Sequence, residues 1–321
     1  MSVLVTGAGG MVGSHMVEYF YQKGDLVIGT YYNPTINIKE LDAKIPMIEC
    51  DVRYPQSIES IIERFLPTEI YHLAAQSYPT VSWERPYETL ETNIGGTVAL
   101  FEAIKRIRKR RSEYDPIIVV ACSSAEYGQT LEELNNPYVQ ETSELKPLHP
   151  YGVSKVGQDL LAYQYYMNDN IKTIRARIFN TTGTRKVNDV TSDFTKRAIL
   201  WEKSGTTFPI LKVGNIESKR AIMDCSDLIN ALQLLAHKGN HGDVYNISSE
   251  KVYQIKDIIQ IIEKYLNIKF KLEIDPKLLR PTDEKIIVGD VTKLKRDTAW
   301  CQKVSLDTSI GQMLDYWRKI L

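Results

Sequence analysis

The sequence lacks an excess of either charge: forty Lys and Arg stand against forty Asp and Glu in 321 residues, for no net charge at neutral pH. Nucleic-acid and membrane-surface binding, which rest on a basic balance, are therefore not expected. Long hydrophobic runs are missing too. Nothing approaches the ~20 apolar residues of a spanning helix, and the chain enters a strand-like run at once, so neither a membrane segment nor a signal peptide is expected. Cysteine is scarce: Cys50, Cys122, Cys225 and Cys301 lie far apart without metal-ligand spacing, which points to free thiols in a reducing cytoplasm and to no metal site. Repeats, low-complexity tracts and Pro/Gly-rich linkers are also missing, so any second region should be interleaved with the first and not tethered to it.

What remains is ordinary globular material, 43% hydrophobic and 25% charged, with length enough for an ample core. One local excess stands out, the basic run Lys105-Arg106-Ile107-Arg108-Lys109-Arg110-Arg111. It closes a helical stretch, where cations complement the helix dipole, and reads as a solvated helix end.

The first motif follows the apolar run Val3-Leu4-Val5. Gly7, Gly10 and Gly13 are spaced Gly-x-x-Gly-x-x-Gly ahead of an amphipathic stretch from His15 to Gln22, the strand–turn–helix setting that a dinucleotide fingerprint requires. Gly7 would permit the tight turn, Gly10 would let backbone approach a pyrophosphate, and Gly13 would let the helix pack on the strand. Met11 and Val12 belong to the same loop. A second strand, 26–30, ends in Thr30-Tyr31-Tyr32-Asn33. Neither the carboxylate that binds a ribose 2′-hydroxyl nor the Arg that accommodates a 2′-phosphate is there; the choice between NAD and NADP stays open, with a lean to NADP because no carboxylate repels a phosphate.

Strand-like runs continue at 47–52, at 69–76 and at 117–122, the last wholly apolar as a strand buried on both faces should be. Alternation of such strands with helices predicts an α/β, Rossmann-type, doubly wound parallel sheet. Ser123 and Ser124 fall at the C-terminal end of the apolar run, where open α/β sheets place their sites. Then comes Pro150-Tyr151-Gly152-Val153-Ser154-Lys155. Tyr151 and Lys155 are four residues apart on a predicted helix, hence on one face. An ammonium near a phenol would lower the phenol's pKa and let it exchange a proton near neutral pH.

The glycine loop, the Ser pair and the Tyr-x-x-x-Lys motif together resemble the extended short-chain dehydrogenase/reductase superfamily nearly end to end. The resemblance implies that Ser123 bonds the reacting sugar oxygen, that Tyr151 is the acid/base, and that Lys155 holds the nicotinamide ribose. It implies cofactor contacts at Asp51, Val52, Leu73, Ala74 and Ala75, a structural role for His72, and a brace at Thr92-Asn93-Ile94-Gly95-Gly96-Thr97.

Later blocks, among them Phe179-Asn180-Thr181-Thr182-Gly183-Thr184-Arg185, Ser218-Lys219-Arg220 and Leu279-Arg280-Pro281-Thr282-Asp283, resemble the GDP-mannose 4,6-dehydratase and GDP-4-keto-6-deoxymannose reductase group. By that resemblance the substrate is a GDP-sugar, with Arg220 and Arg280 on the diphosphate, Asn180 on diphosphate or sugar, Asp283 on the ribose or base, and Ser77 also at the substrate. Two departures matter. Ala125 stands where dehydratases usually carry a Glu base, with a carboxylate one residue later at Glu126; Ala221 stands where Asp is common.

The expectation is a cytoplasmic, nicotinamide-dependent enzyme acting at carbon 4 of a GDP-sugar, reductase in type, with dehydratase and 4-epimerase as alternatives and a non-catalytic binding protein as the reading from another class. Residues 1–178, with later returning segments, would bind the cofactor and 179–321 the nucleotide sugar. Leu160, Leu161, Tyr165 and Tyr166 suit a homodimer interface, with a tetramer as the alternative, and equally suit core packing.

Overall fold

The computed structural model describes residues 1–134, 136–206, 209–279 and 285–321. Its centre is a seven-stranded sheet built from β1 (Ser2–Thr6), β2 (Leu26–Tyr31), β3 (Met47–Glu49), β4 (Glu69–His72), β5 (Ile117–Ser123), β6 (Lys172–Ile178) and β7 (Val244–Ile247). The spatial order is β3-β2-β1-β4-β5-β6-β7, every pairing parallel. The order reverses between β1 and β4, the switch point at which such sheets bind ligands. This is the doubly wound parallel sheet expected from the alternating pattern.

Helices cover both faces because the strands are apolar on both. Val3 and Val5 turn to one side, where Met16 and Phe20 of α1 (Met11–Gln22) meet Leu228, Leu232 and Leu235 of the helix Cys225–Lys238. Leu4, between them in sequence, turns to the other, among Ile62 of α2 (Pro55–Phe65) and Leu100 and Ile104 of α3 (Gly96–Arg110). This is the period-2 alternation of a strand with helices on both sides. Each such side chain, fully buried, contributes roughly 1.5–3 kcal/mol.

The helix that matters most is α4 (Pro150–Asp169). Pro150 occupies its first turn, His149 caps it by accepting the Gly152 N–H on Nδ1 at 3.0 Å, and Asn170 ends it in a left-handed conformation at φ 52°. Proline at the start and a left-handed residue at the end are the expected punctuation.

Beyond the sheet, Phe194, Leu211, Ile258, Leu314 and Trp317 form a separate core beneath the helices Val190–Ser204, Ile255–Leu266 and Leu306–Ile320. The chain leaves this region to place β7 against β6.

Local differences from the sequence reading have local causes. The strands expected over 47–52 and 69–76 stop at Glu49 and His72, because the chain turns at the sheet's C-terminal edge; the Asp51 carboxylate closes one such turn by accepting the Arg53 N–H at 3.0 Å. Helix α1 starts at Met11, directly after the glycine loop. The basic run ends α3 with Lys109, Arg110 and Arg111 exposed, as a solvated helix end should, and it is also paired. Arg106 meets Glu59 at 2.7 Å, Arg110 meets Glu59 at 3.1 Å, and Lys105 meets Asp169 at 2.9 Å, which ties α3 to its neighbours.

Candidate functional site

The three glycines of the first loop do different things. Gly7 sits at φ +73°, and a Cβ on it would lie 2.7 Å from the Ala74 nitrogen; on Gly13 a Cβ would lie 2.4 Å from the Gly7 oxygen. Both positions are closed to larger residues by backbone. Gly10 differs: the nearest atom to its missing Cβ is the Gly7 oxygen at 3.4 Å, so the space before the helix N-terminus is open. That combination fits a dinucleotide, whose pyrophosphate needs bare backbone and unpaired N–H groups at a helix start. Met11 is buried and Val12 half-buried beside them, and Leu73, Ala74 and Ala75, all half-buried, follow β4 on the other side of Gly7.

Asp51 and Val52 lie one strand farther out. Val52 is buried, 2.7 Å from where a Cβ on Gly96 would stand. The Asp51 carboxylate is gripped by Arg53, whose Nη2 donates at 2.6 Å and Nε at 3.0 Å, and the same guanidinium lies 5.6 Å from the centroid of the Tyr32 ring. Arg53 was not legible as a site residue, because its neighbours Asp51 and Tyr32 end different strands.

Ser123, Tyr151 and Lys155 converge at the end of β5. Ser123 is the last residue of that strand; its hydroxyl accepts the Ala125 N–H at 3.2 Å and is close enough to the Tyr151 phenol to lower its pKa. Lys155, 3% exposed, donates to the Ala121 carbonyl at 2.8 Å and lies 5.8 Å from the centroid of the Tyr151 ring. Burial pushes the Tyr151 phenol up to about 12, with the neighbouring Ser123 hydroxyl opposing it, and pushes the Lys155 ammonium down to about 8. The lowered phenol expected from the Tyr–Lys spacing is thus corrected. Desolvation outweighs the neighbouring cation, which sits beneath the ring with one proton committed to Ala121.

A buried polar frame holds this trio in place. Asn93, in the π-helical turn Glu91–Gly95, donates to Ser154 Oγ at 2.8 Å and to the Gln76 carbonyl at 3.0 Å, and accepts the Gln76 N–H at 2.8 Å; Ser154 in turn donates to the Tyr151 carbonyl at 2.7 Å. Thr97 donates to the Asn93 carbonyl, so its oxygen accepts from His72 Nε2 at 3.2 Å, while Thr6 bonds His72 Nδ1 at 2.9 Å. His72 is fully enclosed and neutral, burial driving it down to about 3. Single π-helical turns of this kind are frequent at functional sites.

Glu126 follows Ser123 by three residues but points into the protein. Its Oε1 accepts the Ser123 N–H at 2.7 Å, its Oε2 lies 3.2 Å from Arg177 Nε, and it is fully buried.

Among the expected substrate residues, Ser77 is exposed just past β4 and Asn180 is half-buried just past β6. Arg220 ends the short strand Lys219–Arg220, buried, with Nη1 donating to the Lys219 carbonyl at 2.9 Å. Arg280 and Asp283 lie outside the described residues.

A glycine loop shaped for a dinucleotide, with Ser, Tyr and Lys gathered at the carboxyl edge of a doubly wound sheet, defines an NAD(P)-dependent enzyme of the extended short-chain dehydrogenase/reductase class. More specifically, the chain belongs to the GDP-mannose 4,6 dehydratase family, whose family model matches residues 4–313. It is 26% identical over 317 residues to the GDP-6-deoxy-D-mannose reductase of Pseudomonas aeruginosa, covering 98% of this chain and 96% of that protein. It is also 26% identical over 345 residues to the GDP-mannose 4,6 dehydratase of Drosophila melanogaster, covering 97% and 84%. Among solved structures, RMD from Pseudomonas aeruginosa complexed with NADPH superposes with a TM-score of 0.83 at 24% identity over all of both chains. The UDP-glucose 4-epimerase of Thermotoga maritima with UDP-glucose gives 0.88 at 24% identity over 99% of each.

Proposed function

We propose that the protein carries out nicotinamide-dependent oxidoreduction at carbon 4 of a GDP-linked sugar, in the manner of a GDP-4-keto-6-deoxymannose reductase. The observation that carries this reading is the surrounding of Ser123: Tyr151 and Lys155 gather at the strand end it closes, Ala125 follows at the place of a dehydratase base, and the nearby carboxyl of Glu126 is turned inward onto Arg177. A proton donor to a carbonyl oxygen is therefore present, and a base for carbon 5 is not supplied by this turn.

The nicotinamide, when bound, supplies the hydride to carbon 4. Ser123 and Tyr151 hold the carbonyl oxygen between two hydroxyls, and Tyr151 delivers the proton that turns it into an alcohol. A phenol with a raised pKa suits the donor role. Lys155, still protonated at neutral pH, keeps a positive charge beneath that phenol and stabilises it as the proton leaves. Residues at the glycine loop, Asp51, Val52 and Leu73–Ala75, would hold the cofactor; Ser77, Asn180, Arg220, Arg280 and Asp283 would hold the nucleotide sugar. With no carboxylate in the Thr30–Asn33 stretch, NADP is the favoured cofactor.

A cytoplasmic homodimer is the assembly that fits this reading. Along α4, Val153, Leu160, Tyr163 and Met167 are exposed, whereas Tyr165 is buried and bonded to Glu102 at 2.9 Å. Leu160 thus remains available to a second copy, and Tyr165 serves the core.

The test is mass spectrometry of the sugar nucleotide. Conversion of GDP-4-keto-6-deoxymannose with reduced cofactor to a product two hydrogens heavier is expected, with no loss of water from GDP-mannose. Dehydration of GDP-mannose would instead make the protein a 4,6-dehydratase. Tyr151→Phe should lower turnover roughly 10²–10⁴-fold while cofactor affinity persists, and full activity in that variant would remove the assignment altogether.

A further inference from the structure

The carboxyl group nearest the reaction centre in sequence is also among the most deeply buried in the molecule. Glu126 has no exposed surface, nor has Asp159 on α4, and the side chains that surround them are buried. Arg177 on β6 lies between the two acids, its Nε 2.9 Å from Asp159 Oδ2 and 3.2 Å from Glu126 Oε2. Arg175 holds the other Asp159 oxygen at 2.6 Å. Cys122, Glu126 and Asp159 place one donor atom each within 4.8 Å of one another, which resembles a metal-ligand set. Arg175 and Arg177 already occupy these acids and leave the cluster no surplus negative charge to hold a divalent cation.

The geometry points to a different use: Glu126 is a positioning residue for Ser123, a strut that fixes the Ser123 main chain and ties it to α4 and β6. Glu126 Oε1 accepts the Ser123 N–H at 2.7 Å while the Ser123 hydroxyl accepts the Ala125 N–H, so the turn that ends β5 is closed from both sides. Among the described residues, Oε2 accepts no hydrogen bond, despite the 3.2 Å approach of Arg177. A protonated carboxyl accounts for this, since a hydroxyl beside the Asp159 carboxylate has a proton to give and need not accept one. Burial and the Asp159 charge both push the Glu126 carboxyl well up, over the opposing pull of Arg177 and the Ser123 N–H. Two acids this close hold one proton between them more readily than two charges.

This inference rests on the proposed role of Ser123 and Tyr151, and it excludes Glu126 as the base that strips carbon 5. The neutral isostere makes the test sharp. In Glu126→Gln the amide oxygen can accept from Ser123 and the amide nitrogen can donate to Asp159; in Glu126→Leu both contacts are lost. With GDP-4-keto-6-deoxymannose and NADPH, Glu126→Leu is expected to lower kcat about 10–100-fold, as a misplaced reacting group does, with KM changed less than about threefold. Glu126→Gln should recover most of that loss. Hydrogen exchange of the peptide spanning residues 120–128 should be fast in Glu126→Leu and native in Glu126→Gln. Loss of turnover in Glu126→Gln with native exchange would overturn the proposal in favour of a carboxylate acting on substrate. Wild-type kcat and exchange in Glu126→Leu would overturn it in favour of inert packing. Should the wild-type enzyme turn over no GDP-sugar, the functional reading fails, and the exchange comparison alone decides the role of Glu126.

Discussion

The imidazole of His149 and the phenol ring of Tyr151 lie nearly parallel, 18° apart with centroids separated by 5.9 Å, while His149 Nδ1 accepts the N–H of Gly152 at 3.0 Å. One side chain thus both caps α4 and lies along the phenol that the helix presents. An imidazole can accept that N–H only while Nδ1 carries no proton. His149→Ala should lower stability by about 1 kcal/mol, the usual cost of losing a cap, and should lower kcat more than it raises KM. His149→Asn restores a strong capping group without the ring; thermal melts should recover in that variant, and the share of kcat that does not recover measures the ring's contribution.

Gly13 and Gly10 should separate folding from cofactor binding. A methyl at Gly13 would stand 2.4 Å from the Gly7 oxygen and 2.7 Å from the Ala8 Cα, so Gly13→Ala is expected to cost about 1–3 kcal/mol as an overpacked site and to abolish cofactor binding. Gly10→Ala meets only one atom, at 3.4 Å. It should stay within about 1 kcal/mol of wild type and still weaken the cofactor tenfold or more, roughly 1.4 kcal/mol, because the methyl fills the phosphate approach. Denaturant unfolding together with fluorescence titration of NADPH distinguishes the two.

Arg177 and Arg318 make contacts of similar length with opposite consequences. Arg318 meets Glu202 at 2.8 Å with both side chains 39% exposed, and Arg318→Met should change stability by no more than about 1 kcal/mol. Arg177 lies between Glu126 and Asp159 at 5% exposure. Its replacement by Met leaves buried Asp159 with Arg175 as its one remaining cation among the described residues and should cost about 3–5 kcal/mol, read as the shift in urea midpoint at constant slope.

Acid stability should depend on His72. Its pKa in the folded protein is about 3 against an ordinary 6.5, with burial the main cause and Lys155 the second. The unfolded chain takes up a proton as pH falls through 6.5, whereas the folded protein does not until about 3. Stability contributed by the neutral ring is therefore complete above 6.5 and is lost as pH falls, at about 1.4 kcal/mol per pH unit. Urea unfolding at pH 7, 5 and 4 should show this slope in wild type and a flatter one in His72→Gln; parallel slopes would remove His72 from the account.

Periodicity and spacing made much of the fold legible. The apolar run ending at Cys122 reads as a strand covered on both faces, and Gly7, Gly10 and Gly13 read as a tight strand-to-helix turn with the helix packed close behind it. Tyr151 and Lys155 were legible as a pair because a helix places residues four apart together. What escaped was set by burial and by distant partners. The phenol's raised pKa depends on enclosure that no spacing encodes. Arg177 meets Glu126 and Asp159 from another strand, so their ion cluster had no local signal, whereas the turn of Glu126 back onto Ser123 follows the Ser-x-x-Glu spacing of a capping box. His149 hid because imidazole is outside the usual set of capping side chains.

The last strand of the sheet is made late. β6 ends at Ile178, and β7, which covers its free edge, ends at Ile247. On a ribosome adding ~5–20 residues per second, about 70 residues correspond to roughly 3–14 s. Throughout that interval a nascent chain with six strands assembled carries the unpaired backbone of β6, including the segment that bears Arg175 and Arg177. Open parallel edges recruit other chains. Because α4 precedes β6 in the chain, Asp159 already meets Arg175 and Arg177 at that stage, so the edge is closed at last by the arrival of β7 and not by its own charge.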